Sequence, residues 1–283
     1  MDNKIRKHAT QDYCNVHSRK MERLQKLMQD KPPSEWRVLD IGCGYHFPQV
    51  TLFNNRVSLI CGIDIEPVFL RDGLFRNIIA WCKREGPFKG VKCSLGLWIY
   101  YSLYYYYLNK LIGHKTDFRR LSLSTYDGHH IPFKDEYFDA VVSSAVLEHV
   151  NDLEAFASEC NRVLTVGGIV DMWWHNYYCP SGSHVDKASL RSKPWGHVTG
   201  ELSHPCRFYL NKKRPDEIKN IFNKYFQVIR VIPSDCKHRL IDENGYEVEG
   251  MESLNQEWRA KLGDIPTDLL TTTGFVIQAI KKA

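Results

Sequence analysis

The segment Asp40-Ile41-Gly42-Cys43-Gly44 carries two glycines one residue apart, and Asp64 follows 22 residues beyond Gly42. Glycines in such a turn let the backbone approach a ligand closely, because no Cβ stands in the way. A carboxylate at the end of the next strand can accept hydrogen bonds from both hydroxyls of a ribose. The full dinucleotide fingerprint places a third glycine where this chain has Phe47. The pattern therefore points to a cofactor with a ribose and no pyrophosphate. A second set of residues is imidazoles: His149, His175, His184, His197 and His204. Neutral imidazole takes up a proton near neutral pH, so histidines at strand ends and in loops are candidate general bases. His184 and His197 come first, then His175 and His149.

These residues must be held by regular elements. Trp36 to Ile41 is a short apolar run entering the glycine turn, and Val57 to Asp64 is a second run ending in the carboxylate. Glu66 to Asn77 is expected to form the next helix. Arg120 to Thr125, Phe138 to Ser144 and Ile169 to Trp174 read as strands three to five, with a helix over Asp152 to Leu164 and the last strand introduced by Gly167-Gly168. Pro215 to Tyr225 reads as a helix, and Val228 to Pro233 and Gly274 to Ile280 as a hairpin-like end to the sheet. An amphipathic helix spans about Asn3 to Asp30, with Met21, Leu24, Leu27 and Met28 on one face, and stops at Pro32-Pro33. This alternation predicts an α/β fold of Rossmann-like, doubly wound type, with a mostly parallel seven-stranded sheet and helices on both faces. The chain reads as a single domain over 1–283, with an N-terminal helix within 1–33 and insertions near 86–118 and 176–214.

The 283 residues are 43% hydrophobic and 25% charged, the balance of a folded globular protein. A net charge of +5, with no long Lys/Arg run, argues against a nucleic-acid partner. The nine cysteines lack paired spacing, which favours reduced thiols and a cytoplasmic setting. The charged N-terminal stretch resembles neither a signal peptide nor an anchor.

Val38-Leu39-Asp40-Ile41-Gly42-Cys43-Gly44 and Gly62-Ile63-Asp64 resemble the first two motifs of class I S-adenosylmethionine (SAM)-dependent methyltransferases. The likeness continues through Tyr126-Asp127-Gly128, Phe138 to Val150 and Arg162 to Gly168. It implies SAM as cofactor, with Asp40, Gly42 and Gly44 around the methionine part, Asp64 on the ribose and Ile65 flanking the adenine. It also implies that Asp127 accepts from the adenine amino group beside the Gly128 backbone, and that Ser144 and Ala145 lie beneath the methionine chain. From the residues alone, the alternative for Asp127 is a turn former, since Asp-Gly is common in turns.

Tyr177 to His184 and Pro194-Trp195-Gly196-His197 resemble a pattern of bacterial methyltransferases associated with surface polysaccharide synthesis. The acceptor this implies is a sugar or glycan hydroxyl, lipid-linked in one version, held by Trp195 and the tyrosines and deprotonated by a histidine. The alternatives are a small-molecule or lipid methyltransferase and a noncatalytic SAM-binding module. No metal signature is present, although a divalent ion is a rival means of activating a hydroxyl. Residues 93–108 carry no charge and are rich in tyrosine, which suits either peripheral contact with a membrane or a helical cover over the domain.

Overall fold

The structure, a computed structural model, describes residues 2–66, 69–184, 193–202, 209–234, 239–241, 247–249 and 256–282. The strands are β1 (Arg37–Ile41), β2 (Leu59–Asp64), β3 (Ser122–Thr125), β4 (Phe138–Ser144), β5 (Leu164–His175), β6 (Phe226–Pro233), β7 (Arg239–Ile241), β8 (Glu247–Glu249) and β9 (Gly274–Lys281). Seven of them form one sheet in the order β3-β2-β1-β4-β5-β9-β6, while β7 and β8 form a separate antiparallel pair. β1 runs parallel to both β2 and β4, β2 runs parallel to β3, and β6 closes the sheet antiparallel to β9. The central strands are apolar almost without interruption because both of their faces are buried.

The chain folds as two compact units. The first comprises Met1–Ser143 and Glu159–Asp171, and the second Ser144–Ser158 and Met172–Lys282. In the first, the expected single N-terminal helix is instead α1 (Asp2–Tyr13), a π-helical stretch (Cys14–Lys20) and α2 (Met21–Leu27). The Lys20 side chain at the end of the π stretch is buried, donating to Gln49 and, at 2.9 Å, to the Ser143 carbonyl. From α2, Arg23 makes two hydrogen bonds of 2.7 and 2.8 Å to the fully buried carboxylate of Asp171 in β5.

The helix expected over 66–77 begins later. After α3 (Pro48–Phe53), α4 occupies Leu74–Glu85, entered through Gly73 at φ 87°. Asn77 fixes that entry by donating to the carbonyls of Phe69 and Gly73. The 86–118 insertion is chiefly α5 (Pro87–Ile112), started by Pro87 at its first position and stopped by Gly113 in the left-handed region. α5 packs against α1 and α4 and buries Tyr101, Tyr104, Tyr105 and Leu108. Strand five begins at Leu164, before rather than after its glycine pair.

The second unit contains α7 (Gly196–Thr199), α8 (Pro215–Asn223), α9 (Gln256–Leu262) and α10 (Thr267–Thr271); α6 (Leu153–Val163) precedes β5. A buried cluster of Trp195, Trp258, Leu262 and Leu270 forms part of its core.

Removing Arg23 takes both of its hydrogen bonds from the buried Asp171 carboxylate and leaves that charge only the weaker support of its other neighbours, the Lys20 charge among them. Arg23→Ala is expected to lose about 3–5 kcal/mol in urea unfolding, and Arg23→Leu/Asp171→Leu to recover most of that loss. A loss below about 1 kcal/mol for the single variant contradicts this.

Candidate functional site

β1, β2 and β3 end side by side, with Asp40 opposite Gly62 and Asp64 opposite Thr125. The turn leaving β1 folds over the end of β2: the N–H groups of Gly42 and Cys43 both donate to the Ile63 carbonyl. Gly44 adopts φ 69°, the left-handed region that glycine occupies without strain, and its N–H donates to Asp64 Oδ2 at 2.8 Å. The other carboxylate oxygen accepts the Glu66 N–H at 2.9 Å. Asp64 thus braces the glycine turn, and the remaining lone pairs on its oxygens can accept from ribose hydroxyls. Burial raises its pKa against the opposing pull of these bonds. A Cβ on Gly62 would come within 2.6 Å of Val50 and 2.7 Å of Leu123, so only glycine lets α3 and β3 pack this closely.

Asp40 is fully buried. Its Oδ1 accepts from Gln49 at 2.7 Å, while Oδ2 has no hydrogen-bond partner among the described residues. Burial pushes its carboxyl up to about 8, opposed by the Lys20 charge and reinforced by Asp64. Burial likewise lowers Lys20 to about 8. Sequence reasoning missed this Lys20-Gln49-Asp40 chain, because nothing local marks a lysine that a π-helical stretch turns inward. The unsatisfied Asp40 oxygen beside a positive-φ glycine turn fits a ligand carrying cationic groups.

Beyond β2, exposed Ile65 lies beside Gly128, where a Cβ would stand 3.3 Å from it, leaving a small apolar edge suited to a planar ring. The Tyr126 N–H donates to the Asp64 carbonyl and holds the two loops together. Asp127 is exposed, and its Oδ1 accepts from the N–H groups of His129 and His130, which lower its pKa. Its side chain therefore forms the turn read as the alternative role, with Oδ2 left for a ligand. Ser144 and Ala145 fall in the second unit, where Ala145 adopts φ 59° and its N–H donates to the Trp173 carbonyl.

The second unit gathers three of the four candidate histidines. The His184 ring lies 5.2 Å from His149 and 5.1 Å from His175. His149 Nδ1 is 2.9 Å from the Tyr209 carbonyl, and His175 Nε2 is 2.8 Å from Ser181 Oγ. At their base sits Glu148, whose Oε1 accepts the His175 N–H while Oε2 is buried without a hydrogen-bond partner among the described residues. Burial pushes its carboxyl up to about 8. One atom from each of Glu148, His149 and His184 converges within 4.8 Å. Asn211 secures this turn through the carbonyls of Leu147 and Val150. His197 stands apart, buried, with Nε2 2.7 Å from the Tyr177 carbonyl. His204 lies outside the described residues. Trp195 is fully buried and offers no face to a sugar; Trp173, stacked on His175, and Tyr178 are the partly exposed aromatics beside the imidazoles. Glu148 was legible only as the middle of Leu147-Glu148-His149.

A mostly parallel sheet with a glycine turn and an acidic residue at the end of the neighbouring strand is the arrangement in which α/β folds place nucleotide-type cofactors. A family model described as a methyltransferase domain matches residues 107–171. Over that quarter of the chain it is similar to methyltransferases, which supports S-adenosylmethionine as its cofactor. No curated protein matches the chain. Among solved structures it is similar to the YcgJ protein from Bacillus subtilis (15% identity, 91% of this chain and 97% of that one, TM-score 0.46). It is also similar to an S-adenosylmethionine-dependent methyltransferase from Mesorhizobium loti (14%, 90% and 96%, 0.45) and to the N-methyltransferase NodS from Bradyrhizobium japonicum (12%, 95% and 97%, 0.44).

Two outcomes follow. Asp64→Ala should weaken SAM by about 1.5–3 kcal/mol in calorimetry, the scale of hydrogen bonds to a charged group; unchanged affinity in a folded variant removes Asp64 from the cofactor site. Glu148 keeps in the folded state a proton that the unfolded chain releases near its ordinary pKa of about 4.3. Stability should therefore fall as pH rises from there to about 8 and level off above it. Glu148→Gln should remove this residue's share of the slope and leave that of Asp40, so its melting temperature gains on the parent as pH rises from about 5 to 8. Parallel pH profiles for the two proteins contradict the assignment.

Proposed function

We propose that this protein methylates a hydroxyl of a sugar or glycan, with a histidine of the His149-His175-His184 group as general base. The observation that carries this reading is the grouping of three imidazoles about His184, with ring nitrogens of His149 and His184 within 4.8 Å of a carboxyl oxygen of the buried Glu148. A hydroxyl must lose its proton to become a competent nucleophile, and imidazole accepts that proton near neutral pH. His184, exposed and held at φ 54°, is the leading base; His149 and His175 are its neighbours and candidate proton partners. His197, tied to Tyr177, is assigned to shaping the loop rather than to the proton. Trp173 and Tyr178 supply aromatic faces for a sugar ring, and Tyr178 is fixed by its hydroxyl to the Lys212 carbonyl.

On the cofactor side, SAM when bound supplies an electrophilic methyl group on a sulfonium. Asp64 is assigned to the ribose, Ile65 and Gly128 to the adenine, and Asp127 Oδ2 to the adenine amino group. Gly42, Gly44 and Asp40 are assigned to the methionine part, with Ser144 and Ala145 as candidate neighbours. A second reading rests on the 4.8 Å grouping of Glu148, His149 and His184, which could hold a divalent cation that acidifies the hydroxyl.

The test uses the acceptor fraction that takes label from SAM. His184→Ala should lower turnover roughly 100- to 10,000-fold with SAM affinity nearly intact. Loss of activity in chelator, regained with a divalent ion, would favour the cation reading. Near-normal turnover in His184→Ala, His175→Ala and His149→Ala overturns the histidine base.

A further inference from the structure

α4 and α5 form a helical hairpin joined through Gly86 alone. Their backbones approach so closely that a Cβ on Gly90 would sit 2.5 Å from backbone atoms of Cys82. Each helix buries one side against its own unit: Asn77 on α4, and Gly90, Ser94, Tyr101, Tyr104, Tyr105 and Leu108 on α5. The opposite side is also apolar. Phe88, Val91, Leu95, Ile99 and Tyr106 are exposed at intervals of three, four, four and seven residues, a single stripe along α5, and Phe75 and Ile79 are exposed on α4. Phe88, at the hairpin tip, is 92% exposed. Nothing among the described residues covers this stripe.

Charge indicates what does. Residues 74–112 hold six cations (Arg76, Lys83, Arg84, Lys89, Lys92 and Lys110) and one carboxylate, Glu85, a net of +5. That equals the net charge of the whole chain, whose other residues balance at 32 cations and 32 anions. Glu85 is neutralised by Lys89 and Arg84, while Arg76, Lys83 and Lys92 are exposed with no ion pair among the described residues. An apolar stripe accompanied by the exposed cations Arg76, Lys83 and Lys92, in the segment of greatest positive excess, matches an interface of acyl chains beneath anionic headgroups. No helix among the described residues is long and apolar enough to cross a membrane, so the fit is to a helix lying on the surface. At Trp98, Ser102 and Tyr106 the stripe runs into an open groove also lined by Lys110 and Lys115, where amphipathic rings and cations meet as they do at headgroup level.

We propose that the α4-α5 hairpin docks this protein on an anionic lipid surface, through the aliphatic stripe that begins at Phe88 and the cations beside it. Within the tyrosine block, Tyr101, Tyr104 and Tyr105 pack inward as cover, while Tyr106 stays on the exposed stripe. Binding by such a surface adds an apolar and an electrostatic part, and the electrostatic part weakens with salt.

The test is co-sedimentation of the full chain with vesicles of phosphatidylcholine containing one quarter phosphatidylglycerol, and with phosphatidylcholine alone. Binding should favour the anionic vesicles by at least about tenfold and fall steeply between about 0.1 and 0.5 M salt. Phe88→Ser/Ile99→Ser and Lys83→Glu/Lys92→Glu should each reduce it about tenfold or more, with melting temperatures near that of the parent because all four positions are exposed. The charge pair keeps the test decisive if the serine pair unfolds. Equal or absent binding to both vesicles overturns the proposal. A dimer in light scattering that dissociates in Phe88→Ser/Ile99→Ser also overturns it, since the face is then a contact between copies of this chain.

Discussion

The cofactor end of this molecule depends on one carboxylate. Asp64 accepts the Gly44 N–H with one oxygen and the Glu66 N–H with the other, joining the turn after β1 to the loop after β2. Without those two bonds, a glycine-bearing turn has the freedom that makes glycine costly to order. With them, Gly42 and Gly44 are held in left-handed geometry, and the chain from β3 is brought alongside through Tyr126. The residue proposed to hold the ribose is then also the residue that builds the glycine turn, so under that proposal affinity and local order are linked at a single side chain.

Both candidate regions keep a buried carboxyl whose ionisation burial opposes. Asp40 in the first unit and Glu148 in the second are each pushed to about 8 by burial, and each has one oxygen without a hydrogen-bond partner among the described residues. Such groups lower stability wherever the unfolded chain would ionise them, and they persist where a ligand or a proton makes use of them. Near Asp40 the fitting complement is a cationic ligand. Near Glu148 it is the set of imidazoles, for which a protonated carboxyl acts as a donor and an ionised one as a sink.

Much of this was legible in the sequence. β1, β2 and β4 fall within two residues of the apolar runs that announce them, because strands buried on both faces leave a mainly hydrophobic record, broken in β1 by Asp40 and in β4 by Asp139. α5 is bounded by Gly86-Pro87 and Gly113, signals that act locally. The late start of α4 was not legible, because it is set by Gly73 and by the Asn77 side chain reaching back to Phe69 rather than by composition. Lys20, Gln49 and Glu148 escape a sequence reading for a related reason: each becomes significant through partners distant in sequence. Trp195 and Tyr101 belong by residue type to the aromatics expected to meet a ligand or a membrane, yet packing buries both, and Trp173 and Phe88 occupy the exposed places instead. Residue type announces that an aromatic will bury area, while the neighbours decide which one does.

The proposed reaction stands or falls on which atom receives the methyl group. The most direct measurement is transfer from SAM labelled with carbon-13 in its methyl group to cell-extract glycans, read by the carbon chemical shift of the product. The account predicts a new signal in the O-methyl region, correlated to a sugar ring proton and dependent on both Asp64 and the histidine group. A label found on nitrogen, carbon or sulfur, or on a hydroxyl of a molecule without a sugar, would contradict it.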